Sequence, residues 1–334
     1  MTSFIIRRVL LLIPTVIGAL SFLFFLFFLL PGDPATLIAG GGDRTIDPGV
    51  IERIEARYGF DDPVPQQFAE YWGRTLQWDL GESFLNRQSV NEILGERAVA
   101  SIRLAIWATI IEVLIGITVG LISAVKRYSI ADSFTTIGTA AVAAVPVFVL
   151  GFVLQRILAV TPFQNDWPEW LRFRVQGIGP DTWTFFFIPT GEQWRYLLLP
   201  AVALASVSTA LAARMMRGSM LEVLGSDYMR TARAKGLGER QVVLKHGLRN
   251  ALIPVVTLIG IDFGTVMGSA ILTETVFNWP GLGSKIAESV AARDAPVVLG
   301  LTLVVVLVYV VVNLLVDLSY AWFDPRIRLG ETDS

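Results

Sequence analysis

The chain has 334 residues, of which 53% are hydrophobic and 17% charged, with a formal charge of −2 and a mean hydropathy of +0.59. Soluble domains run near 45–50% apolar and about 25% charged, and here the apolar excess is gathered into blocks of the ~20 residues that cross a bilayer. There is no cysteine and a single histidine, His246, which excludes disulfides, thiol catalysis and a His-rich metal site.

In chain order, Arg7 and Arg8 precede an apolar stretch that runs to Leu30. The stretch is too long for a signal h-region, and Leu29-Leu30-Pro31-Gly32-Asp33 lacks a small-residue cleavage site, so it reads as an uncleaved anchor. The candidate spans are Val9–Leu30, Ala98–Val125, Phe134–Val160, Tyr196–Met216, Ala251–Thr273 and Val297–Trp322, about six transmembrane helices in an all-α fold. The fourth is Ala/Ser-rich and ends in Arg214 and Arg217, and the fifth carries Asp262 and several glycines. Gly32–Arg97 is rich in Asp and Glu; within it Asp47-Pro48-Gly49 followed by Val50–Tyr58 reads as a capped helix, and Pro65–Leu76 as another. Two readings of this stretch stand, a small ordered cap and a solvated loop without a role. Thr161–Arg195 is crowded with Trp and Phe, as in an aromatic interface belt or a substrate-contacting surface.

Charge orients the chain. Basic residues gather before the first span, at Lys126 and Arg127, between spans four and five, and at Arg326 and Arg328. The positive-inside rule then places both termini and the 126–133 and 217–250 loops in the cytoplasm, with the long loop after the first helix outside.

No catalytic set is present. Gly281-Leu282-Gly283-Ser284-Lys285 imitates a P-loop with the wrong spacing, so any ATP must be bound by another chain. The most informative segment runs Asp227, Tyr228, Met229, Arg230, Thr231, Ala232, Arg233, Ala234, Lys235, Gly236. Ser226 or Asp227 suits an N-cap, and Gly236 suits the left-handed position that ends a helix. A helix this short is marginal in water, so it makes sense as a docking element; a generic basic loop is the bland alternative. Glu239–Arg249 reads as a second amphipathic helix feeding span five.

Gly260, Gly264 and Gly268 recur every fourth residue in span five, a spacing that lets helix backbones approach, within the chain or against a partner. Gly116 and Gly120 repeat the device in span two, where packing within the chain is the better account. Glu112, Asp262 and Asp317 fall inside apolar spans, along with Asn313, Gln155 and Arg156; such groups face protein or water and suggest an ion-coupled secondary transporter or channel as the alternative class. They do not cluster in matching halves, and no internal repeat accompanies them. A membrane scaffold is a third class, which has no need of the 227–236 helix.

Four stretches together resemble the permeases of binding-protein-dependent ABC importers, in particular the first (B-type) of the two permeases of dipeptide and oligopeptide systems. They are Leu29–Pro34, Asp227–Leu237, Thr273–Gly283, and Asn313–Asp317 with Tyr320 and Asp324-Pro325-Arg326-Ile327-Arg328. The opening Glu-Ala-Ala of that family's cytoplasmic loop is missing and its later Leu-Pro reads Leu248-Arg249, while its glycine stands as Gly236. The resemblance implies a type I importer permease fold divided into residues 1–31, an extracytoplasmic loop 32–97, a permease core 98–323 with the coupling loop 217–250, and a tail 324–334. It implies a homologous second permease, two ATPase subunits or domains that carry the ATP and Mg, an extracytoplasmic substrate-binding protein, a prokaryotic cytoplasmic membrane, and no cofactor or nucleic acid on this chain. The 227–236 segment would be the coupling helix, and Gly260, Asp262, Gly264, Gly268 and Glu274 would be packing or pathway positions.

Overall fold

A computed structural model describes residues 2–29, 34–39, 47–179 and 183–323. Residues 30–33, which fall in the Leu29–Pro34 stretch, Asp324-Pro325-Arg326-Ile327-Arg328 and the rest of the tail lie outside the described residues, as do the side chains of Arg7, Arg8 and Asp317. The described chain is mostly helical. Helices α1 (Thr2–Leu29), α2 (Pro34–Ile38), α3 (Pro48–Tyr58) and α4 (Val64–Leu76) come first. Then follow α5 (Val90–Val125), α6 (Ile130–Ala144), α7 (Val147–Gln164), a hairpin of β1 (Trp183–Thr184) and β2 (Ile188–Pro189), α8 (Gln193–Leu224) and α9 (Asp227–Ala234). The series closes with α10 (Glu239–Val276), α11 (Leu282–Ala291) and α12 (Ala295–Phe323).

Among the described residues five helices are long and apolar enough to cross a membrane: α5, α7, α8, α10 and Ala295–Leu315 of α12. Ile13–Phe27 and α6 are shorter apolar helices. The expected third span, Phe134–Val160, is not one helix. Val145 is extended (φ −97°, ψ 129°) and Pro146 opens the next helix, because a proline ring excludes the preceding residue from the helical region. Helix α8 also runs on past Met216 to Leu224, so Arg214 and Arg217 lie within it. The amphipathic Glu239–Arg249 stretch is continuous with the fifth span, through a π-helical turn at Val242–Gly247.

Packing divides the described residues into two compact units, one within 2–99 and 281–308, the other within 100–280 and 309–323. In the first, Leu20, Leu80, Val90, Ile93, Val297 and Leu301 belong to one buried core. Gly300 allows the closest approach there, since a Cβ on it would stand 2.7 Å from Val90 Cγ1. Asp294 is buried and accepts from Ser83 Oγ (2.5 Å) and the Phe84 amide (3.0 Å). Helix α3 starts as its sequence asks: Asp47 accepts from the Gly49 amide, and Gly59 closes it at φ +66°. Helix α4 lays Phe68 and Tyr71 on Phe24 of α1, with ring centroids 5.3 and 5.4 Å apart. Helices α3 and α4 of the acidic stretch before α5 are thus packed by aromatic rings, each of which removes a large apolar area from water.

In the second unit α8 is the most enclosed of the five long apolar helices. Its alanines explain this, because small side chains let neighbouring backbones come close. Gly116 and Gly120 of α5 face it so tightly that a Cβ on Gly120 would lie 2.5 Å from the Ala213 carbonyl oxygen and 2.7 Å from Met216 Cβ. At one end of α8, Arg217 donates two hydrogen bonds to Asp132 (2.7 and 2.9 Å), which also accepts from Ser123 Oγ at 2.5 Å. This ties the start of α6 to α8 through a paired, hydrogen-bonded carboxylate. The β1–β2 hairpin is held on α5: Arg103 donates to the Phe186 carbonyl (2.7 Å) and lies 4.3 Å over the Trp183 ring, while Trp107 Nε1 donates to the Phe187 carbonyl (2.7 Å).

Candidate functional site

The segment singled out by its sequence forms one helix, α9, set between α8 and α10. Ser226 is the N-cap by backbone conformation (φ −74°, ψ 156°), yet its hydroxyl donates back to the Val223 carbonyl at 2.6 Å and caps no amide. Asp227 is the first helical residue, where a carboxylate favours the positive end of the helix dipole. At the other end Lys235 is the C-cap and Gly236 sits at φ +76°, a region that costs any residue with a Cβ. A helix of eight residues does not hold itself together in water, and this one is held by one face. Met229 and Ala232, three residues apart, are buried together with Val242 and packed by Val223, Leu224 and Leu237.

Three further contacts fix the segment to α10. Arg233 grips Glu239 with two hydrogen bonds of 3.1 and 2.9 Å, and that carboxylate raises the guanidinium pKa above its ordinary value. Asn250 donates to the Tyr228 hydroxyl at 2.9 Å. Gly247 leaves room for two methionines, since a Cβ there would meet Met220 Cε at 2.7 Å and Met229 Cε at 3.1 Å. The opposite face carries Asp227, Arg230, Thr231, Ala234 and Lys235, all exposed; Arg230 has 73% of its side chain accessible and only a 3.3 Å surface contact with Asp227. So Arg230 is an outward charge and Arg233 is an internal fastener, a distinction that spacing alone does not make.

The other five positions do not form one surface. Gly264 is buried, and a Cβ on it would lie 2.6 Å from the Tyr309 ring, so its smoothness serves packing within the chain. Gly268 is exposed, with open space beyond its Cα, and Gly260 is half-buried. Glu274 is fully buried and accepts from Ser101 Oγ at 2.5 Å, next to Trp279, whose Nε1 donates to the Ala100 carbonyl at 3.0 Å. That is a structural anchor. Asp262 has a buried carboxylate oxygen without a hydrogen-bond partner among the described residues, as does Glu112 in the π-helical turn of α5.

Sequence reading missed the Asp132–Arg217–Ser123 knot, for which no local pattern exists, and the buried Met229–Ala232 pair, which the three-residue spacing of apolar positions does signal.

Several helices long and apolar enough to cross a bilayer, with a short polar helix fastened to them by one face, define a multi-pass membrane protein. Residues 116–329 match the family described as binding-protein-dependent transport system inner membrane component, and residues 1–105 match the N-terminal part of such membrane components. The chain belongs to that family. It is 41% identical over 343 residues to the dipeptide transport system permease protein DppB of Escherichia coli K12, covering 98% of this chain and 99% of the relative. It is 39% identical over 328 residues to the glutathione transport system permease protein GsiC of Pectobacterium atrosepticum, again covering 98% and 99%. A chain from a crystal structure of an amino acid ABC transporter with histidines superposes with a TM-score of 0.46 at 15% identity, over 71% of this chain and 94% of that one.

Proposed function

We propose that this chain is one of the two permeases of an ATP-driven importer of small peptides in a prokaryotic cytoplasmic membrane. The observation that carries the substrate class is the end-to-end similarity to permeases named for dipeptide and for glutathione transport. Both termini and the 217–250 segment face the cytoplasm, and the stretch before α5 lies outside, six spans in all. Helix α9 couples the permease to a separate ATPase that binds ATP and Mg. In support, its apolar face is engaged by its own chain while Asp227, Arg230 and Lys235 stand exposed on the other face. A homologous second permease completes the pathway, and an external binding protein delivers the peptide. ATP-driven closure of the ATPases moves α9, and the permeases rock between outward- and inward-open arrangements as rigid bodies.

The test is reconstitution of this chain with a second permease, the ATPase subunits and the binding protein. Dipeptide should stimulate ATP hydrolysis, and uptake should persist after the proton gradient is collapsed while ATP is maintained. Uptake by this chain alone, driven by an ion gradient, would overturn the proposal in favour of the secondary transporter that Glu112 and Asp262 suggest. Orientation is tested with single cysteines in this cysteine-free chain. Leu76→Cys, at a position 81% exposed, should react with an impermeant thiol reagent from outside, and Ala234→Cys only after permeabilisation.

A further inference from the structure

Helix α5 ends at Val125, and α10 begins at Glu239; within the same compact unit their ends face each other across a groove of about 290 Å³. Its walls are Leu121, Ile122, Val125, Val243 and Leu244. Three of these are open to the surroundings: Ile122 is 44% exposed, Val125 46% and Leu244 43%. Exposed apolar side chains at the end of a membrane-length helix lie at the depth where acyl chains meet headgroups. The rim carries two cations, Lys126 and Arg240. Lys126 is the first residue past α5 and Arg240 the second of α10, so both stand at the boundary of apolar segments. Neither has an ion-pair partner among the described residues. The acid beside them, Glu239, is occupied by the two hydrogen bonds from Arg233.

We infer that this groove binds a phospholipid with an anionic headgroup, its phosphate between Lys126 and Arg240 and one acyl chain along Ile122, Val125 and Leu244. Charge complementarity selects the occupant. An apolar trough alone takes any lipid tail, whereas two unpaired cations at its mouth favour a net negative headgroup over a zwitterionic one. A free phosphate would meet the cations and leave the trough uncovered. The site also touches the energy-coupling region, because Glu239 both borders the groove and holds Arg233 of α9.

The test is native mass spectrometry of the full chain with phosphatidylglycerol, with phosphatidylcholine of the same chains, and with glycerol phosphate, which has no tail. Phosphatidylglycerol should be retained at least tenfold better than phosphatidylcholine, and glycerol phosphate not at all. Lys126→Gln with Arg240→Gln should cut phosphatidylglycerol affinity by roughly tenfold to thirtyfold, given about fivefold for each cation near a headgroup. Leu244→Trp, which fills the trough at an exposed position, should reduce both lipids alike. Equal retention of the two lipids, an unchanged affinity in the double variant, or binding of glycerol phosphate as strong as that of the lipid would each overturn the proposal. So would stoichiometric displacement of the lipid on adding the ATPase, which would make the groove a protein contact. None of these readouts needs transport, so the lipid site and the importer reading can fail separately.

Discussion

The α5–α8 contact and the α9 segment are built on opposite plans. Along α5–α8, glycine and alanine bring two backbones to within a methyl group of each other, and nothing larger fits. Around α9, two buried side chains, one ion pair and one tyrosine hydroxyl hold a helix whose other face is open. The first arrangement resists movement because close-packed interiors transmit strain and do not yield gradually. The second is a small rigid piece on a few fasteners, suited to being pushed from outside. A substitution in the first should therefore damage the protein itself, and one in the second should leave the protein whole and touch only the coupling proposed for α9.

Gly120→Leu should have the largest effect. Its Cβ would already collide with the Ala213 carbonyl and Met216, and overpacking of this kind costs about 1–3 kcal/mol or more. Loss of monodisperse protein on size-exclusion chromatography, with a lowered unfolding temperature, is the expected result; a wild-type melting curve would mean that the helices can part there.

Next come Gly264→Leu and Gly268→Leu, one turn apart on α10. The former meets Tyr309, and the latter meets nothing within 4 Å among the described residues. Thermal unfolding of the isolated chain should fall for Gly264→Leu and stay unchanged for Gly268→Leu. Equal loss in both would erase the distinction between a packed and an open face.

Gly236→Val leaves the packing free of clash, since space beyond this glycine is open, but forces a β-branched residue to φ +76°. A left-handed residue with a Cβ costs roughly 1–2 kcal/mol, enough to redirect the end of α9 and too little to unfold the permease. Membrane insertion and unfolding temperature should be preserved, while substrate-stimulated ATP hydrolysis falls at least tenfold. Full stimulation in this variant would show that α9 has no coupling role.

The smallest effect sharpens the assignment of charges on α9. Arg230→Glu with Lys235→Glu changes exposed groups only, so the chain should stay folded and retain less ATPase on co-purification, the more so in high salt because exposed charges are screened. Arg233→Glu should behave differently, bringing two carboxylates together at Glu239 and loosening α9 itself, detectable as faster hydrogen exchange over 227–236. If both variants gave the same exchange pattern, Arg233 would be no more a fastener than Arg230.

Apolar block length, basic-residue asymmetry, the absence of cysteine and the caps of short helices are local properties, legible along the chain without any fold. Long apolar blocks have to become helices in a bilayer because every backbone amide must find an internal partner there, and Asp47, Gly59 and Gly236 act within a few residues of where they stand. The break at Val145–Pro146 was equally local and legible, but the continuous apolar run around it masked the proline. Tertiary structure alone decided which partner each polar group takes. Nothing near Asp132 announces Arg217, 85 residues on, and nothing in their spacing separates Arg230 from Arg233. The same holds for Gly264 and Gly268, identical in sequence terms, one closed by the Tyr309 ring and the other open. A residue type states what contacts are possible. Which of them forms depends on the few ångströms between helices that only the packed chain sets.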